Sequence, residues 1–231
     1  MNICIIPARG GSKRIPLKNI KEFHGKPMIA YSIEAAKESG CFDRIIVSTD
    51  DEEIARVAEE YGAEIPFRRP AELSDDYATT MMVLQHAIDW CEKAGWQYDN
   101  LCCIYATAPF IQPEDLTMGL SYLGAPDVQY AFSATSFGFP IQRAFYLDER
   151  SRVKMFQPEY LNTRSQDLVE AYHDAGQFYW CKVDALKQEL PFFSNHSLPV
   201  LLPRKRVQDI DTPEDWELAE LLYAVHGRQS V

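Results

Sequence analysis

Short apolar runs alternate with amphipathic stretches along most of the chain. Residues 2–6 form a compact apolar run that reads as a buried strand. Residues 27–38 carry Met28, Ile29, Ile33 and Ala36 at the spacing of one helix face. Residues 44–49 read as a second buried strand. Asp50 followed by Glu53 resembles a capping box, which opens a helix over 51–61 that stops at Gly62. The alternation continues with helices over 79–93, 113–123 and 213–226, and with strands over 101–105, 130–134 and 177–182. Such an order predicts an α/β fold: a mostly parallel sheet, helices on both faces, and ligands at the carboxyl ends of the strands. From about 136 to 172 the rhythm fails. This stretch holds aromatics and Arg143, Arg150, Arg152 and Arg164 without a helical period, and it reads as a small β-rich arm inserted into a single domain spanning 1–231.

Composition narrows the function. A length of 231 residues, 46% hydrophobic and 25% charged, suits one sizeable packed core and excludes disorder. A net charge of −11 disfavours a general nucleic-acid binder, which needs a broad basic surface. No apolar run approaches the roughly 20 residues that span a bilayer. The start of the chain lacks a basic segment and a long apolar segment, so no signal peptide or membrane association is expected and a cytoplasmic protein is. Cys4, Cys41, Cys91, Cys102, Cys103 and Cys181 form no CxxC pair and no zinc-like spacing; they are expected as small buried apolar groups in a reducing compartment.

Against that acidic background one segment is basic. After the first strand comes PARGGSKRIPLKN, residues 7–19, which has neither Walker A nor Rossmann glycine spacing. Between Arg9 and Lys26 lie six basic residues and one acidic residue, Glu22, a local net charge of +5. Gly10 and Gly11 let the backbone turn sharply, and the position at a strand's carboxyl end suits a phosphate cradle. Residues 68–80 read as a polar loop entering a helix, with Asp76 or Thr79 as candidate caps. Near the end, Asp209 and Asp211 would share one face of an extended segment with Ile210 packed behind them, before Thr212 and Pro213 open a helix. A carboxylate pair of this kind suits Mg²⁺, which takes one or two carboxylates plus phosphate oxygens and water; helix capping alone is the competing reading.

The string IPARGGSKRIPLKNI resembles the signature of the cytidylyltransferases that activate sialic acid and related nonulosonic acids. The RPAEL segment (69–73) and DIDTPED (209–215) resemble the same family's nucleoside loop and metal motif. The resemblance covers essentially the whole chain and implies a Rossmann-like nucleotidyltransferase sheet. It implies that Arg9, Ser12, Lys13, Lys18 and Asn19 contact the phosphates of CTP, with Ala8 and Gly10 contributing backbone. Arg69, Ala78 and Thr80 would recognise the nucleoside. Asp209 and Asp211 would hold Mg²⁺, and Lys18, Asp211 and Arg9 would carry catalysis as the sugar's anomeric hydroxyl attacks the α-phosphorus and pyrophosphate leaves.

On the sugar side, Arg164 can grip a carboxylate with its planar fork, and Gln177, Phe192 and Phe193 are further candidates. Sialic-acid-activating relatives carry Arg before Pro-Asn-Gly where this chain has His173-Asp174-Ala175-Gly176, and Gln-Pro where it has Tyr105-Ala106. These replacements make the sugar side less polar. IYATAPF with YHDAGQFYW resembles the family's pseudaminic acid branch, whose substrate is a dideoxygenated, diacetamido nonulosonic acid. The resemblance also implies a homodimer, with Arg143 of the arm as a cross-subunit contact. Activation of sialic or legionaminic acid, and a non-catalytic sugar-nucleotide-binding module, stand as alternatives.

Overall fold

The computed structural model describes residues 1–226. The chain runs β1 (Asn2–Pro7), a short hairpin of β2 (Glu22–Phe23) and β3 (Lys26–Pro27), α1 (Met28–Ser39), β4 (Arg44–Ser48), α2 (Glu52–Glu60), α3 (Thr80–Lys93), β5 (Asn100–Ile104), α4 (Pro113–Tyr122) and β6 (Tyr130–Ser136). It continues through β7 (Phe145–Leu147), β8 (Val153–Met155), β9 (Tyr172–Lys182), α5 (Val183–Lys187), β10 (Ser197–Leu201) and α6 (Pro213–His226). Six strands form one sheet in the order β10-β6-β9-β5-β1-β4. The pairs β1–β4, β1–β5 and β6–β10 are parallel, while β9 runs antiparallel to both its neighbours. The fold is therefore a mostly parallel α/β sheet.

Side chains of β1 leave the sheet alternately, as the two-residue period requires. Cys4 and Ile6 enter a core with Ile29 and Ile33 of α1, Ile54 of α2 and Leu116 of α4. Ile3 and Ile5 enter the opposite core with Leu84 and Ile88 of α3 and Leu186 of α5. Both faces of the sheet are thus covered, which is why its strands read as continuous apolar runs.

Three features depart from the sequence pattern. Strand β9 is longer than its apolar signal, because residues 172–174 are exposed on an extension reaching toward the arm. Strand β10 gave no signal: Pro199 sits within it, which only an edge strand tolerates. The cap of α2 is Asp51, whose carboxylate accepts from the N–H groups of Glu53 and Ile54; Asp50 is left for another partner.

Between β6 and β9 lies the arm, with the β7–β8 hairpin and three short 3₁₀ turns. It exposes Phe139, Phe145, Leu147, Phe156, Leu161 and Val169. No helix among the described residues is long and apolar enough to cross a membrane. All six cysteines are free thiols, five of them buried.

Candidate active site

The basic loop is fixed at both ends before any side chain reaches the cleft. Ala8 is fully buried and its N–H donates to Ser48 O at 2.9 Å. The Gly10 N–H donates to the Asp50 carboxylate at 3.0 Å. A Cβ on Gly10 would meet the Asp51 carboxylate at 2.8 Å, so only glycine allows the loop this close to the start of α2. Asn19 is buried and ties the loop's two limbs, its Nδ2 donating to Arg9 O at 2.9 Å. Leu17 holds a left-handed φ of 49°, a strained conformation for this residue, immediately before Lys18.

A third apolar cluster joins this loop to the far end of the chain. Ile15 of the loop and Ile210 of the tail both pack with Phe23, Met28 and Trp216. Burial of each isoleucine contributes about 1.5–3 kcal/mol. With both anchors in place, Lys18 Nζ donates to Ile210 O at 2.6 Å and lies 3.3 Å from the Asp211 carboxylate. Arg14 pairs with the other Asp211 oxygen at 2.8 Å. Thr212 and Asp215 cap α6 reciprocally: the Thr212 hydroxyl accepts from Asp215 N and donates to the Asp215 carboxylate. Asp209 lies outside the lining of the cleft, with its outer face open to solvent. Loss of hydration on its inner side, then repulsion from Asp211, raises its carboxyl above the ordinary value.

Residues 68–80 close the opposite wall. The guanidinium of Arg69 is buried, donating to Ser48 Oγ at 3.2 Å and to the Ser48 and Leu73 carbonyls. Burial lowers its pKa to about 10, so it remains a cation. Asp76 bridges two residues of the basic loop, accepting from Arg9 at 2.9 Å and from Lys13. Between these walls lies a cleft of about 450 Å³. Arg9, Ser12, Lys13, Lys18 and Asn19 line it from the loop, and Arg69, Ala78 and Thr80 from the facing segment. Tyr105, Ala106 and Asp211 complete the predicted residues found there. The arrangement is a cationic trough with two carboxylates, Asp76 against the basic loop and Asp211 beside Lys18, and its cationic excess suits a polyphosphate.

A second, apolar recess of about 210 Å³ adjoins the cleft through Thr80 and Tyr105. Tyr105 is set by its backbone, whose N–H donates to Gln177 O and whose C=O accepts from Ser32 Oγ. Phe192 and Phe193 form the outer wall, at 5.2 Å from each other and near Phe132. Tyr179 packs between Tyr105 and Phe192 at 5.2 and 5.4 Å.

Several predicted residues lie elsewhere. Arg164 is bound by Asp167 in a two-pronged pair on the arm and lines neither cavity of this chain. His173 packs on Phe137 at 4.7 Å. Gln177 is buried with its amide on Arg206 O, so its backbone rather than its side chain serves the site. Ala8 and Gly10 spend their N–H groups within the protein, and Arg143 donates to Thr163 O inside the arm. Sequence reasoning passed over Arg14, which the basic count already contained, and treated Asp76 as a helix cap. It also missed Asp174 and Tyr179, which only the fold brings to the recess.

Comparison with known proteins agrees with this geometry. A family model described as cytidylyltransferase matches residues 3–213. A pseudaminic acid cytidylyltransferase of Campylobacter jejuni is 50% identical over 97% of each chain. An N-acylneuraminate cytidylyltransferase of Escherichia coli is 31% identical over 99% of this chain and 54% of its own length. A CMP-N,N'-diacetyllegionaminic acid synthase of Legionella pneumophila is 29% identical over 95% of each chain. A solved CMP:2-keto-3-deoxy-manno-octonic acid synthetase complexed with CTP shares the fold, with a TM-score of 0.69, 20% identity, and coverage of 97% of this chain and 98% of that one. A match that takes in both the basic loop and the tail aspartates shows that this chain belongs to the cytidylyltransferase family.

Proposed function

We propose that the protein transfers CMP from CTP to the anomeric hydroxyl of a nonulosonic acid, with pseudaminic acid as the substrate, and releases pyrophosphate. The meeting of Lys18 with Asp211 at the end of the basic cleft carries this reading. The 50% identity to pseudaminic acid cytidylyltransferase supports the choice of sugar.

Arg9, Lys13, Arg14 and Lys18 offset the negative charge of the triphosphate and hold it along the trough. Ala78 and Thr80 face the nucleoside. Lys18, fixed by Ile210 O, is directed at the phosphates, where charge grows as pyrophosphate departs; catalysis of this kind is electrostatic and positional. Asp211, which lines the cleft, is a hard carboxylate of the kind Mg²⁺ takes, and Asp209, exposed just outside the cleft lining, is the second carboxylate that would complete the pair. Bound there, Mg²⁺ would neutralise phosphate charge and orient the in-line displacement.

A homodimer formed through the arm is part of the proposal, supported by the apolar side chains that the arm leaves exposed. In that assembly Arg164 and Arg143 serve the partner's sugar site. Free thiols support a reducing, cytoplasmic location.

The test is pyrophosphate release from CTP and Mg²⁺ with purified pseudaminic, legionaminic and sialic acids. The expected result is a kcat/KM for pseudaminic acid at least about tenfold above the others, the discrimination that a lost polar contact gives. Preference for sialic acid would overturn the choice of sugar, and no release with any of them would overturn the reaction.

A further inference from the structure

The recess beside the cleft holds one charged group. Among its described lining residues only Asp174 carries a charge at neutral pH; the rest are aromatic, aliphatic, thioether, thiol or hydroxyl side chains. Its carboxylate is held on both oxygens: Oδ1 accepts from Gly176 N at 2.8 Å, and Oδ2 accepts from the Tyr179 hydroxyl at 2.6 Å. Gly176 has a left-handed φ of 65°, which glycine adopts without steric cost just after Asp174. Burial, then the neighbouring Tyr105, pushes the Tyr179 phenol far up, so it stays a donor. A carboxylate has about four acceptor positions. Two are used within the chain, and Asp174 lines the recess while staying exposed, so its further acceptor positions are open to a ligand.

Such a group repels an anion and attracts an N–H or O–H donor. A nonulosonic acid has its own carboxylate beside the anomeric carbon, and the anomeric hydroxyl must reach the α-phosphorus in the cleft. The sugar's anionic end therefore stays at the Tyr105 mouth and its substituents enter the recess. With a volume of about 210 Å³, the recess is smaller than the roughly 300–1,000 Å³ pockets that enclose whole ligands, so it takes a substituent. Apolar walls from Leu84, Phe192 and Tyr179 suit an acyl methyl, and one fixed acceptor suits the amide N–H beside it.

We propose that Asp174, oriented by Gly176 and Tyr179, is a specificity-determining residue that accepts the N–H of an acylamino substituent of the sugar while Leu84 and Phe192 cover its methyl group. This rests on the reaction proposed above. It explains selection of a diacetamido sugar over one with a hydroxyl at the same position, because a hydroxyl supplies no methyl for the apolar walls and is shorter than the gap an amide fills.

The experiment compares wild type, Asp174→Ala, Asp174→Asn and Tyr179→Phe with pseudaminic acid and with sialic acid, following pyrophosphate release. Asp174→Ala is expected to raise KM for pseudaminic acid on the order of 10–100-fold, the loss of a charge-assisted bond, and Asp174→Asn to raise it less. KM for CTP stays within about twofold, since Asp174 is outside the cleft lining. The preference for pseudaminic over sialic acid narrows at least about tenfold in Asp174→Ala. Tyr179→Phe leaves one restraint on the carboxylate and gives a smaller loss in the same direction. A thermal melt accompanies each variant, and if Asp174→Ala does not fold, the isosteric Asp174→Asn decides. Equal losses with both sugars, or a KM for CTP that rises with that of the sugar, would overturn the assignment. Wild type that turns over neither sugar would overturn the proposed reaction itself.

Discussion

The cleft and the recess touch at Thr80 and Tyr105 but are built in opposite ways. In the cleft, Arg9, Lys13, Arg14 and Lys18 come from one loop, and attraction to phosphate is electrostatic, long in range and tolerant of small displacements. The recess draws on α3, β5, β6, β9 and α5 and on residues 192–193, and it works by contact, shape and one fixed acceptor. A ligand common to a whole enzyme family can be held by the first kind of site. Telling one sugar from another needs the second.

Removing Mg²⁺ with a chelator should bring the largest change, with CMP transfer falling to background and returning when the ion is added back; transfer that persists would separate the carboxylate pair from catalysis. Lys18→Ala and Asp211→Ala should each lower kcat about 10²–10³-fold, the usual cost of one group that stabilises transition-state charge, measured by pyrophosphate release. Neither should alter the recess, so relative preference among sugars stays as in wild type. Ile210→Ala sharpens the link between core and site. It should cost about 2–5 kcal/mol in denaturant unfolding and lower kcat, because Ile210 anchors the backbone that Lys18 grips.

Phe192→Ala, on the recess side, should raise KM for the sugar about tenfold with KM for CTP unchanged, from lost apolar contact alone. The smallest effect tests the cleft's internal competitor. Asp76 occupies Arg9 and Lys13 and so opposes the triphosphate; Asp76→Asn should lower KM for CTP about two- to fivefold. Hydrogen bonds from Lys13 and then Arg9 hold the Asp76 carboxyl below its ordinary value. The competition therefore persists through neutral pH and fades only in acid, as Asp76 gains its proton.

The same contrast explains what the chain discloses before folding. The phosphate loop is contiguous, so its glycines, its net charge and its place after β1 were all visible in one string. Asp211 was legible through the extended DIDTP pattern with Ile210 behind it, and the structure buries Ile210 completely. Ile15, its partner across the cluster, carried no signal, because a single isoleucine in a basic loop does not announce what it packs against. Strand β10 was hidden by Pro199. Asp174 was hidden by distance: its neighbours Tyr105, Leu84 and Phe192 are remote in sequence, and only the antiparallel insertion of β9 between β5 and β6 brings them together. Arg164 was legible as a guanidinium suited to a carboxylate, but its pairing with Asp167 inside the same arm was not.

The most direct test is a crystal structure of the protein soaked with CTP and Mg²⁺. The account predicts the triphosphate in the cleft between Lys18 and Arg9, the ion on Asp211, and Asp76 displaced from Lys13. A nucleotide bound in another cavity, or phosphates that leave the Asp76 contacts with Arg9 and Lys13 in place, would contradict it.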